Sequence, residues 1–484
     1  MSKSLGQSSV QSLSFNMSIF LYYLKIVALV AVNIVSAAPV QDGRPTVELD
    51  FGTFVGAQSS TYNLTYFRKI PFGASTAGSN RFRAPQPPLP VISPYDTDQS
   101  FDMCVQRTVN GSEDCLYLGL YSRPWTSSQP LRPVLLTFYG GGFIQGSASF
   151  TIPPSGFPVL NVSQSNDYVV VYSNYRTNVF GLLPGKKIKE SSAVDLNPGL
   201  LDQQAALQWI QKYIHHFGGD KTNVTIWGQS AGGGSVVAQT IATGNRGKGL
   251  FRKAMASSPY WPKTYRYDDP KAEELYDQVV DAVGCKGQQD DVKCLQNADV
   301  QALRDISLKL SSSHTYNTSS YTWSPVIDDA FLTESLSKVI RSGKLNADFV
   351  LSSYNLHEGE TFVQSSVNFD TWLSGFLPDF KERDYEKSRS LYPESGEAEG
   401  LVYNSTYTRV GLVYRDLVLA CPAYWLSKTA DKGWLVEYTI NPAKHASDTI
   451  YVSHFEQAHL ITDADDLNLV EPGQCCSKDR STHL

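Results

Sequence analysis

Three short runs in the first half of the chain lack the apolar–polar alternation of a strand with one wet face: PVLLTF (Pro133 to Phe138), YVVVYS (Tyr168 to Ser173) and VTIW (Val224 to Trp227). Runs of this kind suit strands covered on both faces, which means a parallel sheet packed between helices. Leu200 to Ile214 (LLDQQAALQWIQKYI) supplies one such helix, with apolar residues at helical spacing and few breakers. Two further buried-strand candidates follow, Asp348 to Ser353 (DFVLSS) and Trp434 to Ile440 (WLVEYTI), whereas about 263–342 and 365–430 read as mostly helical and polar. Strands alternating with helices predict a doubly wound α/β sheet. A chain of 484 residues, 42% of them hydrophobic, can bury a large core in one such unit. The Pro-rich stretch from Pro85 to Pro94 does not divide it, because hydrophobic runs continue on both sides and no internal repeat appears.

The first residues set the compartment. From Ile19 to Val35 the chain is apolar apart from Lys25 and Asn33, and it ends in Val35-Ser36-Ala37-Ala38. Small residues at −3 and −1 suit signal peptidase, so residues 1–37 read as a signal peptide cut after Ala37, with Met17 as an alternative start. A membrane anchor is the competing reading, but Lys25 interrupts the run and a processing site follows directly; no other segment is long and apolar enough to span a bilayer. Seven cysteines and mature-region sequons at Asn63, Asn110, Asn161, Asn223, Asn317 and Asn404 agree with secretion. Zinc is the rival use of cysteine, but there is no Cys-X-X-Cys, and no histidine stands near Cys104/Cys115 or Cys285/Cys294 at ligand spacing. Disulfides are therefore expected, and the odd count leaves one of Cys421, Cys475 and Cys476 free or paired outside the chain. A net charge of −6 without a Lys/Arg block argues against nucleic-acid binding.

The chemistry concentrates in four places. Gly228-Gln229-Ser230-Ala231-Gly232 follows the Val224–Trp227 strand and precedes a small-residue stretch able to start a helix. That is the arrangement of a nucleophile elbow, whose sharp turn needs small residues on both sides and projects the serine beside a helix N-terminus. Alone the pentapeptide is weak, and a structural Gly-rich loop competes with it. Tyr139-Gly140-Gly141-Gly142-Phe143 follows the Pro133–Phe138 strand, and three glycines let backbone amides approach a substrate as an oxyanion hole requires. A phosphate loop would need a Gly-Lys-Ser/Thr or Gly-X-Gly-X-X-Gly, and neither is present there. Glu358 lies just past the Asp348–Ser353 strand, and His445 just past Trp434–Ile440. Ligand chemistry in open α/β sheets collects at the carboxyl ends of strands, and Ser…acid…His is the chain order of α/β-hydrolases. His454 and His459 compete for the role of base, although neither directly follows a strand candidate. His215, His216 and His357 are weaker rivals; the last adjoins Glu358 on a short turn.

With these residues in place, the chain resembles the type-B carboxylesterase/lipase family, the α/β-hydrolase group that includes cholinesterases and secreted fungal lipases. The matching stretches are Phe67 to Phe72, Arg81 to Pro85, Glu113 to Leu118, Asn174-Tyr175-Arg176, Gly199 to Gln203, Phe217 to Asp220, the Ser230 elbow and Ser324 to Asp328. They cover roughly residues 45 to 450. The resemblance implies an α/β-hydrolase fold, a large mostly parallel sheet flanked by helices, with helical insertions near 263–342 and 365–430 forming a gorge or cap on a single domain of residues 38–484. It also implies a Ser230-Glu358-His445 triad and disulfides Cys104–Cys115 and Cys285–Cys294, the first closing a loop that serves as a lid in the family's lipases. Asp448 matches an acidic position of the family motif, with a structural role expected.

Three departures stand out. Gln229 replaces a frequent Glu, which disfavours cationic substrates. Tyr139 stands where His often precedes the glycines, and the tail after His445 is short for the family, as a mis-spliced end would be. The function expected is a secreted carboxylic-ester hydrolase working through an acyl-enzyme, with the amides of Gly141, Gly142 and Ala231 as oxyanion hole. Its substrates would be small-molecule or lipid esters, and no metal or organic cofactor is implied. A catalytically inactive, cholinesterase-like binding domain is the alternative, and it predicts loss of Ser, Glu or His.

Overall fold

The computed structural model describes residues 43–449 except 149–151, 153–155, 163–167, 244–248, 312–321, 395, 399–400 and 404, together with 467–468. The signal-peptide stretch, the sequons at Asn317 and Asn404, Cys475, Cys476, His454 and His459 lie outside the described residues.

Ten strands form one sheet: β1 (Ala57–Ser59), β2 (Leu64–Pro71), β3 (Tyr117–Ser122), β4 (Arg132–Phe138), β5 (Val169–Ser173), β6 (Gly219–Gln229), β7 (Lys253–Ser257), β8 (Phe349–Asn355), β9 (Lys432–Tyr438) and β10 (Leu467–Asn468). Their order across the sheet is β10-β9-β8-β7-β6-β4-β5-β3-β2-β1. Pairing is parallel from β5 through β4, β6, β7 and β8 to β9. It is antiparallel at β1/β2, β2/β3, β3/β5 and β9/β10. The sheet is thus mixed, parallel at its centre and antiparallel at its margins. The marginal strands lack the run of β-branched residues that flagged the centre: β2 carries Arg68 and Lys69 beside an irregular register between Phe67 and Ile70. Antiparallel strands tolerate such residues because one face can stay wet.

Helix α1 (Pro198–Tyr213) precedes β6 and α2 (Ala231–Ile241) follows it. In the later segment, α3 (Thr406–Arg415) leads through a π-helical turn, Asp416–Ala420, into α4 (Cys421–Thr429). Further helices, Pro270–Ala282, Asp291–Asn297, Val300–Ser311, Leu336–Ser342, Phe369–Phe376 and Glu382–Leu391, lie within 263–342 and 365–430. A small hairpin, Gly396–Ala398 with Leu401–Tyr403, interrupts the second of these stretches.

Coverage of the sheet is unequal, which corrects the expectation of strands buried on both faces. On β6 to β9 the face of Ile226, Ala254, Val350 and Leu435 is buried, with α2 and α4 packed along these strands. The opposite row, Trp227, Met255, Leu351 and Trp434, runs in register across the four strands. There Trp227 and Met255 are half-buried, while Leu351 and Trp434 are exposed. An apolar run looks the same in sequence whether its second face is dry or partly wet, so periodicity could not reveal this.

Disulfides join Cys104 to Cys115 and Cys285 to Cys294. Cys421 is disulfide-bonded as well.

At the carboxyl end of β5 the chain is tied to α1 through a buried ion pair. Asp202 accepts from the Arg176 amide at 3.0 Å, from Nε at 2.8 Å and from Nη2 at 2.7 Å, with both side chains almost inaccessible. Truncating one partner leaves the other charge buried and uncompensated. Asp202→Ala is therefore expected to cost about 3–5 kcal/mol in urea unfolding, whereas the exposed pair Arg252–Asp348 should contribute about 1 kcal/mol or less when Asp348 is replaced by Ala.

Candidate active site

Ser230 occupies the turn between β6 and α2 at φ +59° and ψ −125°, a conformation few non-glycine residues adopt. Three backbone bonds hold it there. The Ser230 amide donates to the Ser257 carbonyl at 3.0 Å, and its own carbonyl accepts from Tyr260 and Gly234, both at 2.9 Å. The turn is tight enough that a β-carbon on Gly232 would stand 2.1 Å from the Phe138 carbonyl oxygen. The loop after β4 comes equally close: a β-carbon on Gly140 would meet the Gln229 carbonyl at 2.6 Å and Ser230 Cβ at 3.2 Å. The glycine loop Gly140–Gly142 thus lies directly against the serine, and Ala231 begins the helix beside it.

Glu358 opens a single 3₁₀ turn, Glu358–Thr361, just past β8, and is fully buried. Helix α3 and its end hold this turn: the Tyr407 hydroxyl donates to the Glu360 carbonyl at 2.7 Å and Arg415 Nη1 to the Leu356 carbonyl at 3.2 Å. His445 lies past β9. Its Nδ1 stands 2.9 Å from Glu358 Oε2 and its Nε2 2.9 Å from Ser230 Oγ. A carboxylate only accepts, so Nδ1 carries the proton that bonds it, and Nε2 is left to accept from the serine hydroxyl. Glu358 Oε1 is buried with no hydrogen-bond partner among the described residues.

The structure therefore brings Ser230, Glu358 and His445 together at the carboxyl ends of three parallel strands. His215 and His216 are placed elsewhere, in the turn Ile214–Phe217 that enters β6 from its amino end. His357 turns its Nδ1 toward Glu360, at 3.4 Å. Gln229, beside Ser230, sets its neutral amide 3.4 Å from His445 Nε2.

Sequence reasoning singled out Asp448 as structural but did not find Asn355 or Thr361, which join the Glu358 turn to the His445 loop. Asn355 Nδ2 donates to the Lys444 carbonyl at 2.7 Å and to Asp448 at 3.1 Å. The His357 amide bonds the Ala443 carbonyl at 2.9 Å, the His445 amide bonds Thr361 Oγ1 at 3.3 Å, and Phe362 packs edge-on against the imidazole. A fully buried asparagine at a strand end was the available signal, since such a side chain must find partners. The loop closed by Cys104–Cys115 is also engaged: Gln106 exchanges hydrogen bonds with the Gly146 backbone at 2.8 and 2.9 Å, just beyond the glycine loop.

A mixed sheet whose central parallel strands deliver a nucleophile turn, a carboxylate and a histidine to one edge is the α/β-hydrolase architecture. Solved structures share it. Aspergillus niger EstA superposes with a TM-score of 0.74 over 85% of this chain and 82% of its own, at 24% identity. A PNB esterase superposes at 0.71 over 87% and 86%, at 26% identity. More specifically, the chain belongs to the carboxylesterase family, whose model matches residues 43–456. Curated relatives include a secreted triacylglycerol lipase of Gibberella zeae, 30% identical over 359 residues and 68% of this chain. A carboxylesterase of Penicillium expansum is 30% identical over 356 residues and 70% of this chain. The chain spans 60% and 62% of the lengths of these two relatives.

Burial, and secondarily the charge of Glu358, push the Asp448 carboxyl above its ordinary range, against the lowering effect of its bond from Asn355. A carboxyl whose folded pKa exceeds its unfolded one stabilises the fold at low pH and loses that contribution as pH rises through the folded value. Asp448→Asn keeps an acceptor for Asn355 without the charge. Its unfolding free energy relative to wild type should therefore rise between about pH 4 and pH 7, measured by urea titration at both; a difference independent of pH would contradict this account.

Proposed function

We propose that this protein is a secreted carboxylic-ester hydrolase that works through a covalent acyl-enzyme. The observation that carries the reading is His445 held between a serine hydroxyl and a buried carboxylate at 2.9 Å on each side. In this mechanism His445 Nε2 takes the Ser230 proton as Oγ attacks the ester carbonyl. Glu358 keeps the imidazole in the required tautomer and stabilises its cation. The amides of Gly141, Gly142 and Ala231 receive the tetrahedral oxyanion, each donor contributing about 3 kcal/mol. Collapse expels the alcohol, which takes the proton from His445 and leaves the acyl group on Ser230. Water, deprotonated by His445, then attacks the acyl carbonyl; the Oγ–acyl bond breaks, Ser230 Oγ takes the proton from His445 and the acid is released.

Substrates on this reading are small-molecule or lipid esters, the two kinds of work named for the fungal lipase and carboxylesterase relatives. The neutral Gln229 beside the nucleophile offers a cationic alcohol group no countercharge. Residues 1–37 act as the signal peptide, and the remaining chain is one hydrolase domain whose helical insertions shape the approach to Ser230. Among the described residues no helix is long and apolar enough to cross a membrane. No group of three or more His, Cys, Asp or Glu among them could hold a metal ion. Asn63, Asn110 and Asn161 are exposed and accessible to glycosylation; Asn223 is half-buried and accepts from Lys253 at 2.9 Å.

Hydrolysis of p-nitrophenyl esters of increasing chain length tests the activity and ranks the acyl preference. Ser230→Ala and His445→Ala should lower kcat by roughly 10⁴-fold or more, and Glu358→Gln by about 10³–10⁴-fold, in folded protein. Ser230→Ala should also abolish fluorophosphonate labelling, while His454→Ala and His459→Ala change turnover little. Labelling that survives Ser230→Ala, or full activity in Glu358→Gln, would refute the assignment.

A further inference from the structure

The two arms of backbone that flank Ser230 are linked by a buried polar network with no part in the proton transfers above. Tyr139 opens the glycine loop, and Tyr175 lies two residues past β5. Their rings stack at 4.1 Å with an interplanar angle of 11°. The Tyr175 hydroxyl donates to the Tyr139 carbonyl oxygen at 2.6 Å, and the Tyr175 amide donates to the Tyr139 hydroxyl at 3.2 Å. The Tyr139 hydroxyl in turn donates to the Tyr175 carbonyl. The Tyr139 carbonyl belongs to the same peptide unit as the Gly140 amide, so holding it fixes the plane from which Gly140–Gly142 departs.

The other arm is tied to the same place. The Ser235 hydroxyl donates to the Ala231 carbonyl at 2.9 Å and accepts from Gln203 Nε2 at 2.8 Å. Gln203 adjoins Asp202 on α1, and Asp202 holds Arg176, the residue after Tyr175. Burial pushes both phenols above their ordinary range, which keeps them protonated and able to donate. The side chains of Tyr175, Gln203 and Ser235 are buried, so each bond is held in surroundings where leaving it unmade is costly.

We infer that Tyr175 is a positioning residue of the oxyanion hole, coupling the glycine loop to the first turn of α2 so that the Gly141, Gly142 and Ala231 amides keep one mutual geometry. The inference rests on the ester-hydrolase reading above. Donors aimed at the developing oxyanion act on the transition state and little on substrate binding. Loss of their alignment therefore belongs in kcat.

The test is steady-state hydrolysis of p-nitrophenyl butyrate by the full chain, with inhibition by an alkyl trifluoromethyl ketone, whose serine adduct carries an oxyanion. In Tyr175→Phe, kcat should fall about tenfold or more with KM within about threefold, and the ketone inhibition constant should rise by a similar factor. Tyr139→Phe keeps the ring stack and the bond from the Tyr175 hydroxyl, so it should give a smaller fall of the same kind; it decides the matter if Tyr175→Phe does not fold. Wild-type kcat and inhibition in a folded Tyr175→Phe, or a fall in kcat with unchanged ketone inhibition, would overturn the coupling. If wild-type hydrolysis depends on Ser230, such a result overturns only the coupling; a wild type without Ser230-dependent hydrolysis overturns the ester-hydrolase reading as well.

Discussion

A serine at φ +59° is out of place in a polypeptide unless its surroundings hold it there. Around Ser230 they do so through neighbouring strands rather than through the turn alone. The amide reaches across to Ser257 at the end of β7, and the carbonyl is taken by Tyr260, just past that strand, and by Gly234 in α2. The bonds with Ser257 and Tyr260 depend on β6 and β7 being parallel and in register, Gln229 opposite Ser257. The geometry of Ser230 is thus in large part a property of the sheet, and Gly232 answers a packing demand set by Phe138 at the end of β4.

Parallel pairing has a second consequence. Strands that run the same way deliver their carboxyl ends to one edge, so the loops after β4, β6, β8 and β9 meet although their residues are far apart in the chain. Meeting is not alignment, however. The acid and base loops are aligned by short polar contacts between them: Asn355 to Lys444, His357 to Ala443, Thr361 to His445. The buried Arg415–Asp416 pair stiffens the far side of the acid turn through the Leu356 carbonyl. A buried ion pair contributes little net stability, but with its hydrogen bonds satisfied it admits few alternative arrangements.

How much of this was legible follows from which signals are local. Most central strands are, because β-branched runs flag sheet strands, and β4, β5, β6, β8 and β9 lie where PVLLTF, YVVVYS, VTIW, DFVLSS and WLVEYTI stand, whereas β7, KAMAS, has no such run and was not found. The Ser230 elbow is local too, since glycine flanks and a preceding strand are chain neighbours. Strand β6 nevertheless begins at Gly219, well before VTIW, because Asp220 to Asn223 are polar and carry no periodic signal. The antiparallel margin was not found as strands because LTYFRKIP and YLGLYS carry charges or lack a β-branched run. Least legible were Asn355, Thr361, Tyr175 and Ser235, whose partners lie dozens of residues away or on another element and leave no pattern at any fixed spacing.

Those illegible residues divide into two sets that meet at Ser230. On the proposed mechanism, Asn355, Thr361 and the Arg415 pair orient the groups that would move the proton. On the other side, Tyr139, Tyr175, Ser235 and Gln203 hold the backbone that would face the developing charge. Among the described contacts the sets share no side chain, and Gln229 stands between them, its amide facing His445 while its carbonyl abuts Gly140. That separation has a physical logic. The imidazole must gain and lose charge in each cycle, whereas oxyanion donors work best when nothing about them reorganises as charge appears. Polar groups that do not titrate, two protonated phenols, a hydroxyl and a carboxamide, suit the second task, and the charged residues nearest them, Arg176 and Asp202, neutralise each other within the fold.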